Sequence, residues 1–432
     1  MKKNRKRNLE LITPTTLIVG VDGHAKSNTA AFCLASGDEP MRPMKFGNDR
    51  CGFMMFLDKV KWLMRKSGLN EVVFVLEPNG PYWLLLARFL AERNYTVKVV
   101  NPLQVKRNRQ TDNPSPDKND FRDARSAADL GRQGKFNQTN LLSQTYEDLR
   151  TLARLRDGLM EERSMQKHRL RASLVRAFPE LSRCVSDICG KGAVALLRMA
   201  PTAGAIVSLG EAEVAKALKE GSRGRLGLKK ARQIMQLAKD SVGYAAASPS
   251  LRMEFTATLD AMDFFSGKIE QIESEMKRLL WELNEAALLL SVPGIGEITA
   301  ATIFGETGGL SCYETPSQIR KLAGFDLVGD QSGDYQGKLR ISKKGRKLLR
   351  KALYQCAVSS LHCNETLKRF YDGLISPERS NRLKKKQAIV AVAGKLVDIM
   401  FSLVKSQEEF DPEHKWSAPA KKSDEVLEVA AA

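Results

Sequence analysis

The chain has 432 residues, enough for two or three domains that each bury a core. Its 69 Lys and Arg exceed its 50 Asp and Glu, and the formal net charge of +19 favours a polyanionic partner, nucleic acid rather than a membrane surface. No run of about 18 uncharged apolar residues occurs and no apolar segment follows the basic first residues, so we expect neither a membrane-spanning protein nor a signal peptide.

Cysteine and histidine usage favours an intracellular protein without a zinc site. The seven cysteines include no C-x-x-C pair, which favours a reducing compartment, and we expect a cytoplasmic location. The four histidines are scattered along the chain, so we expect no metal cluster from them.

Apolar runs rich in β-branched residues predict strands in the first hundred residues. The predicted strands are 17–21, 28–35, 43–46, 72–76 and 96–100. The predicted helices between them are 53–64 and 82–93. The order is a strand meander that feeds an α/β crossover, and a loop then leads to an acidic helix.

Two of the predicted strands end on an acidic residue. Asp22 closes the first strand and Glu77 closes the fourth. Burying either carboxylate without a partner is costly, and open α/β sheets place their sites just beyond the strand ends. Taken singly, each acid is an ordinary strand-end turn residue. Together they predict one edge of a carboxylate site.

A short acidic stretch follows in a chain that is otherwise basic. Ser115-Pro116 is typical of an N-cap and a first helical residue, so we predict a helix that starts there. Asp120 and Asp123 then share a helix face, with Asp117 one turn earlier as a spare candidate. A solvated face is the ordinary explanation for such a pair. Combined with the two strand-end acids, however, the pair predicts a site of four carboxylates.

From about residue 141 the apolar spacing is helical throughout. One long helix is predicted at 146–178, and a second carries apolar residues at alternating four-three spacing, the pattern of a coiled-coil seam. The seam residues are Phe265, Ile269, Ile272, Met276, Leu279 and Leu283. These helices can pair within one chain or across a dimer. Residues 185–248, rich in Gly, Ala and Lys, predict a small helical insertion between them.

A glycine-containing turn at 291–296 precedes a helix predicted at 298–304. Its Pro-Gly-Ile-Gly segment resembles a helix-hairpin-helix, in which glycines let backbone N–H groups approach a phosphate. Gly294 and Gly296 are therefore candidate nucleic-acid contacts. A plain turn between two helices is an equally good interpretation.

Six Lys or Arg residues crowd positions 338–347 beside glycines, before a helix predicted at 347–362. Such a loop is suited to binding phosphates. The candidate contacts are Lys338, Arg340, Lys343, Lys344 and Arg346. Ser332, in the preceding Gly-flanked stretch, is on sequence alone an ordinary turn serine.

Taken in order, these motifs resemble those of the DEDD transposases of the bridge-RNA-guided insertion-sequence group. The resemblance spans about residues 17–365, and the ordered set is far more specific than any single motif. The motifs are Val19-Gly-Val-Asp22, Leu76-Glu77-Pro-Asn-Gly80, Val99-Val-Asn-Pro102, Lys118-Asn-Asp120-Phe-Arg-Asp123-Ala124, Val292-Pro-Gly-Ile-Gly296, Ser332-Gly333, Arg340-Ile-Ser-Lys343-Lys-Gly345 and Leu349-Arg350.

The resemblance implies an α/β plus all-α architecture. It comprises an RNase H-like (RuvC-like) mixed-sheet catalytic domain, coiled-coil helices with an insertion, and a mostly helical carboxy-terminal transposase domain with the helix-hairpin-helix-like element. The expected divisions are a disordered basic arm at 1–14, the catalytic domain at 15–140, the coiled coil at 141–290 with its insertion at about 185–248, the transposase domain at 291–405, and a disordered tail at 406–432.

The resemblance also implies a magnesium site held by four catalytic acids, and a catalytic serine. The acids are Asp22, Glu77, Asp120 and Asp123, and the serine is Ser332. Carboxylates are the hard oxygen ligands that Mg²⁺ prefers, and a serine hydroxyl is a weak nucleophile that a metal can activate. Members of the group often carry a lysine two to four residues after the first acid. Lys26 occupies that region here, and the sequence leaves its role open.

The function that follows is a magnesium-dependent DNA transposase or site-specific recombinase that cuts and rejoins DNA through a serine, guided by a structured non-coding RNA. We expect a homo-oligomer, a dimer or tetramer, since recombination involves several strands. One alternative is a metal-dependent, structure-selective nuclease that uses water and leaves Ser332 idle. Another is a non-catalytic nucleic-acid-binding protein. The sequence does not identify the target site, the guide RNA, or the role of residues 181–250.

Overall fold

The computed structural model describes residues 2–112, 119–138, 141–329, 331–332, 335–336 and 340–413. The chain divides into two compact units, Met1–Leu141 and Leu142–Ala432. This division lies beside the end of the predicted catalytic domain at residue 140.

The first unit is a mixed α/β sheet with helices on both faces, as predicted. Its strands are β1 (Thr16–Gly23), β2 (Ser27–Leu34), β3 (Met44–Gly47), β4 (Glu71–Glu77), β5 (Thr96–Val99) and β6 (Asn137–Gln138). Its helices are α1 (Lys2–Leu9), α2 (Arg50–Lys66), α3 (Trp83–Ala91), α4 (Pro102–Asp112) and α5 (Asp120–Arg132). The strand order is β3-β2-β1-β4-β5-β6, in which β1, β4 and β5 run parallel and the other neighbours pair antiparallel.

The central strands are apolar along most of their length because helices cover both of their faces. Residues Val19 and Phe74 face a core shared with α2 and α3. Ile18 and Val75 face a second core that includes residues of α4 and α5. Because strand side chains alternate in direction, the acids that end β1 and β4 lie on the α5 side of the sheet.

Two predictions for the first unit are wrong. The amino-terminal arm, expected to be disordered at 1–14, forms α1 and is fastened to the loop after α5. Asn8 Nδ2 donates to the backbone oxygens of Gly134 at 3.0 Å and Phe136 at 2.8 Å, and Arg5 Nε donates to Gln133 O at 3.1 Å. The segment expected as a loop before the acidic helix contains α4, whose Val105 is buried against the sheet. Neither arrangement has a local apolar period that would reveal it.

The second unit is built almost entirely of helices. The helices are α6 (Gln144–Ala177), α7 (Leu181–Cys184), α8 (Lys191–Met199), α9 (Ala203–Leu209), α10 (Glu211–Gly221), α11 (Leu228–Lys239), α12 (Pro249–Leu280), α13 (Ala286–Leu290), α14 (Glu297–Thr307), α15 (Pro316–Ala323), α16 (Lys347–Cys363), α17 (Glu365–Ile375) and α18 (Lys385–Ser406). Between α15 and α16 the described residues form four two-residue strands: β7 (Leu327–Val328), β8 (Gln331–Ser332), β9 (Tyr335–Gln336) and β10 (Arg340–Ile341).

The two long helices, α6 and α12, pair with each other within the chain. They run antiparallel, because Ser173 bonds Glu254 near one end and Arg156 bonds Glu273 towards the other. Seam residues such as Met276 are buried in this arrangement, so the intrachain alternative holds for at least part of the predicted seam. One core forms at each end of the pair, one with α7–α11 and the other with α13–α18.

One helix of the second unit is long and apolar enough to cross a membrane. This helix is α18, and α8 with α9 would qualify as a single span despite an 85° bend between them. In the fold these helices supply core residues: Leu396, Met400 and Leu403 of α18 are buried in one core, and Leu196 of α8 in the other. Their apolar character is thus used in packing.

The predicted disordered tail begins where α18 ends, at Ser406. Its first residues are nevertheless attached to the second unit, because Phe410 packs against the core and its backbone N–H donates to Ser291 Oγ at 2.9 Å. That part of the prediction is wrong, and residues 414–432 lie outside the described part of the chain.

Candidate active site

The site begins at the shared edge of β1 and β4. Asp22 and Glu77 are direct partners in the parallel pairing of these strands, so their side chains leave the same face of the sheet side by side. Asp22 is 1% exposed and Glu77 is 6% exposed. Two buried acids on adjacent strands indicate a position where the fold accepts an electrostatic cost.

Helix α5 brings the second pair of acids to this edge. Its N-cap is Asn119, whose side chain accepts from the Phe121 N–H at 3.0 Å, so the helix starts later than the predicted Ser115-Pro116 cap. Residues 113–118, which include Asp117, lie outside the described residues. With the observed cap, Asp120 and Asp123 occupy the first turn, where negative charge is favoured by the helix dipole.

Gly20 of β1 allows α5 to approach the sheet at this point. A Cβ atom on Gly20 would lie 2.2 Å from Ala124 O and 2.3 Å from Ala128 N, both backbone atoms of α5. No larger residue fits without moving the helix. The glycine therefore sets the distance between the α5 acids and the strand-end acids.

The closest group in the site joins Asp22, His24 and Asp120. His24 Nε2 lies 3.2 Å from Asp22 Oδ2 and 3.3 Å from Asp120 Oδ1. One ligand atom from each of the three residues lies within 4.8 Å of the other two, close enough to hold a metal ion. We expected no histidine beside these acids from the sequence, and the geometry makes His24 a candidate ligand.

The carboxylate of Asp22 is in an environment that disfavours its charge. Burial is the largest cause and raises its pKa above the ordinary value, and the nearby charges of Asp123 and Asp120 raise it further. The charge of His24 and a hydrogen bond from Asn79 Nδ2, at 3.4 Å, lower the pKa and only partly offset these effects. A cation bound beside Asp22 would relieve the same cost.

Among the described residues, Arg109 and Lys45 pair with the two site acids of α5, Asp123 and Asp120. Arg109 of α4 donates to Asp123 Oδ1 at 2.6 Å, and its side chain is 15% exposed. Lys45 of β3 lies 3.3 Å from Asp120 Oδ2, the oxygen that does not face His24. Asp123 is therefore paired with a guanidinium, whereas one oxygen of Asp120 is directed to Asp22 and His24.

The fold thus assembles the four predicted acids around one end of β1, and adds residues that sequence reasoning missed. Asp22, Glu77, Asp120 and Asp123 are related by strand pairing, by the helix turn and by their electrostatic effect on Asp22. The missed residues are His24, Lys45, Asn79 and Arg109. A signal for His24 was present, because it lies two residues beyond Asp22 on the same strand exit and such residues share a face.

The predicted nucleophile lies in a small hairpin of the second unit. Ser332 ends β8 and pairs with Tyr335 of β9, and the connecting residues 333–334 lie outside the described residues. A second antiparallel pair, β7 with β10, flanks this hairpin in sequence and contains Arg340.

The basic loop after β10 is only partly available to a ligand. Lys343 and Lys344 are exposed, and Lys343 adopts a positive φ of 53°. Arg346 is instead half-buried and bonds the backbone oxygen of Glu306, with its guanidinium 3.5 Å from the Glu306 carboxylate. The charge of Arg346 is thus already paired inside the fold, and its contact with nucleic acid stays a prediction. Lys338 lies outside the described residues.

The glycine turn before α14 has a packing explanation. Gly294 has a φ of +101°, and a Cβ there would lie 2.3 Å from Ser360 Oγ and 2.6 Å from its backbone N in α16. Gly296 is exposed at the N-cap of α14, but Glu297 places a carboxylate in the first turn and pairs with Lys277 at 2.9 Å. The geometry favours the plain interhelical turn over the phosphate-binding interpretation of both glycines.

Two transposase family models match the chain. Residues 19–179 match a model of IS110-type DEDD transposases, and residues 286–372 match the model described as the transposase IS116/IS110/IS902 family. The first match contains all four predicted acids, and the second contains Ser332 and the basic loop.

Two relatives resemble the chain over most of its length, and a third resembles about a third of it. An IS116 insertion-element protein of Streptomyces clavuligerus is 22% identical over 91% of this chain and 96% of its own length. An IS900 insertion-element protein of Mycobacterium paratuberculosis is 22% identical over 88% of this chain and 94% of its own length. A pilin gene-inverting protein of Moraxella bovis is 28% identical over 36% of this chain and 48% of its own length.

Proposed function

This chain is a DNA transposase or recombinase of the IS110 family of DEDD transposases, and from that premise we propose that it cuts and rejoins DNA through Ser332, with magnesium at the acidic site and a structured RNA as its guide. The mixed sheet with acids at the ends of its central strands is consistent with an RNase H-like fold of the RuvC type. The pilin gene-inverting relative supports DNA strand exchange as the reaction class.

The donor set of the acidic site fits a magnesium ion. Asp22 and Asp120 offer carboxylate oxygens within reach of one ion, and Glu77 and Asp123 stand next to them. When bound, the ion would supply a Lewis acid that stabilises charge on a phosphate and lowers the pKa of an attacking hydroxyl. Asp123 would have to exchange its bond with Arg109 to join this set, so we place Asp22 and Asp120 as the principal ligands.

The covalent step we propose is a transesterification. Ser332 Oγ attacks a backbone phosphorus, an O–P bond forms, and the bond from that phosphorus to one deoxyribose oxygen breaks. The proton of the serine hydroxyl leaves with the attack, and the displaced oxygen takes up a proton. The phosphoserine ester conserves the energy of the original bond, so the reverse attack by another strand's hydroxyl rejoins DNA without ATP.

The observation that carries this proposal is the convergence of acids from β1, β4 and α5 on one buried position. These acids offer ligands but no nucleophile of their own. Ser332 belongs to the second unit and precedes in sequence the exposed cations Lys343 and Lys344, which are suited to hold a phosphate backbone. A nuclease that uses water would need the same acids and leave Ser332 idle, and this is the second candidate function.

Denaturing electrophoresis of labelled DNA tests the proposal. With Mg²⁺ and co-purified RNA present, the wild type should form a covalent protein–DNA adduct and exchange strands. Ser332→Ala and Asp120→Asn should each abolish both products while leaving nucleic-acid binding largely intact. Asp58→Asn, an exposed acid on α2, is the matched control and should behave as the wild type. Full cleavage by Ser332→Ala would mean that water, and not Ser332, is the nucleophile, and would favour the nuclease alternative.

The guide RNA and the oligomeric state are separate parts of the proposal. The net charge of +19 is compatible with an RNA partner as well as DNA, and RNA that co-purifies with the protein should, when sequenced, be a single structured species. Random cellular RNA would contradict the guide. Strand exchange requires more than one Ser332, so we expect a dimer or tetramer.

A further inference from the structure

The backbone of His24 is hydrogen-bonded within the turn at the edge of the acidic site. The turn between β1 and β2 is closed by a bond from His24 N to Ser27 O at 3.1 Å. Asn48 Nδ2 donates to His24 O at 3.0 Å, and Asn48 Oδ1 accepts from the buried Asn28 at 3.2 Å. The backbone of His24 is thus hydrogen-bonded at both its N–H and its C=O, which fixes where the side chain leaves the turn.

The Nε2 atom of His24 is buried without a hydrogen-bond partner among the described residues. It lies between the carboxylates of Asp22 and Asp120, yet neither contact has hydrogen-bond geometry. An imidazole nitrogen placed between two carboxylates has two uses: it can carry a proton as a counter-cation, or it can share a metal with them.

The distances favour a shared metal. In octahedral coordination with bonds of about 2.1 Å, adjacent ligand atoms lie about 3.0 Å apart. The Nε2 to carboxylate distances of 3.2 and 3.3 Å are close to that edge length. A protonated imidazole acting as a counter-cation would instead point its Nε2–H at one of the two carboxylate oxygens. Neither contact has the geometry of such a hydrogen bond.

We propose that His24 is a direct metal ligand, completing a site of two carboxylate oxygens and one imidazole nitrogen with Asp22 and Asp120. This inference rests on the metal site of the proposed function and deepens it. The predicted set of four carboxylates is all oxygen, whereas the set observed around Nε2 is mixed.

A nitrogen ligand changes which ions the site favours. Mg²⁺ prefers oxygen ligands, and imidazole suits first-row transition ions, whose affinities for mixed sites exceed that of Mg²⁺. The protein should therefore bind Mn²⁺ more tightly than Mg²⁺, and more of that preference should depend on His24 than on any other histidine.

Mn²⁺ alone is the probe for this inference, read by electron paramagnetic resonance on the full-length protein. The amplitude of the free Mn²⁺ signal, measured as protein is added, gives the dissociation constant. Electron spin echo modulation reports whether a nitrogen is bonded to the ion. The wild type should show nitrogen modulation. His24→Gln, which places an amide oxygen at similar reach, should lose it and bind Mn²⁺ at least about tenfold more weakly. His168→Gln, an exposed histidine on α6, is the matched control and should retain both properties.

The outcomes separate this inference from the proposed function. Suppose that the wild type binds Mn²⁺ without nitrogen modulation and that Asp22→Asn abolishes the binding. This result would overturn the role of His24 but would support the acidic metal site. Nitrogen modulation that persists in His24→Gln would likewise overturn the role of His24. Binding that Asp22→Asn does not weaken would overturn the metal site itself, and with it both proposals. Because His24 is 40% exposed, the glutamine variant should fold as the wild type does, which circular dichroism checks.

Discussion

Replacing Gly20 with alanine tests whether the approach of α5 to β1 creates the acidic site. The new Cβ would lie 2.2 Å from Ala124 O, where ordinary van der Waals contact begins at 3.4 Å, so the atoms must separate by 3.4 − 2.2 = 1.2 Å. The contacted atoms are backbone, so no rotamer change can relieve the overlap. The helix itself must move, and with it Asp120 and Asp123.

Two separate effects should follow, one on stability and one on the site. Overpacking of this kind costs about 1–3 kcal/mol of unfolding free energy. A displacement of about 1 Å within a catalytic arrangement can cost about a hundredfold in rate. We therefore expect Gly20→Ala to remain folded with a lower unfolding midpoint, while metal binding weakens and strand exchange falls about a hundredfold.

Guanidinium unfolding by circular dichroism, Mn²⁺ binding and strand exchange measure the three quantities on one preparation. Gly158→Ala is the matched control, because its Cβ meets nothing within 4 Å and alanine suits a helix interior, adding up to about 1 kcal/mol. A Gly20→Ala protein with the unfolding midpoint and the exchange rate of the wild type would refute the reasoning, since α5 would then have tolerated the overlap without moving.

Glu306→Ala should lower the unfolding free energy by roughly 3 kcal/mol, because that buried carboxylate lies 2.8 Å from one arginine and 3.5 Å from another, whereas Glu275→Ala on the exposed face of α12 should leave the melting temperature unchanged. Lys343→Ala should weaken nucleic-acid binding equally for all sequences and reduce the slope of log affinity against log salt by about 0.9, and an unchanged slope would exclude a phosphate contact there. Burial raises the pKa of the Cys356 thiol to about 12, so it should resist alkylation at about pH 8 until the protein unfolds, while the exposed Cys51 reacts; mass spectrometry of native and unfolded samples measures both. Light scattering should find a dimer or larger assembly, and a monomer both free and with RNA would contradict the oligomer.

Local patterns in the sequence were sufficient for the elements that position the acids. The runs that end at Asp22 and Glu77 are continuously apolar and rich in β-branched residues, and this composition indicates buried strands from the sequence alone. The spacing of Asp120 and Asp123 is helical for the same local reason. The ordered motifs also identified the transposase family, which the family models confirm.

Contacts between distant segments decided which charges are paired, how the amino-terminal arm is attached and which histidine joins the acids. No local pattern in the sequence encodes these contacts. Arg346 belongs to a basic run by sequence, but the packing of the second unit brings Glu306 to it and pairs its charge within the fold. The amino-terminal arm is ordered because Asn8 finds backbone oxygens more than a hundred residues away. His24 joins the acids because Gly20 lets α5 lie against β1, which places Asp120 opposite a histidine that the sequence separates from it by almost the whole first unit.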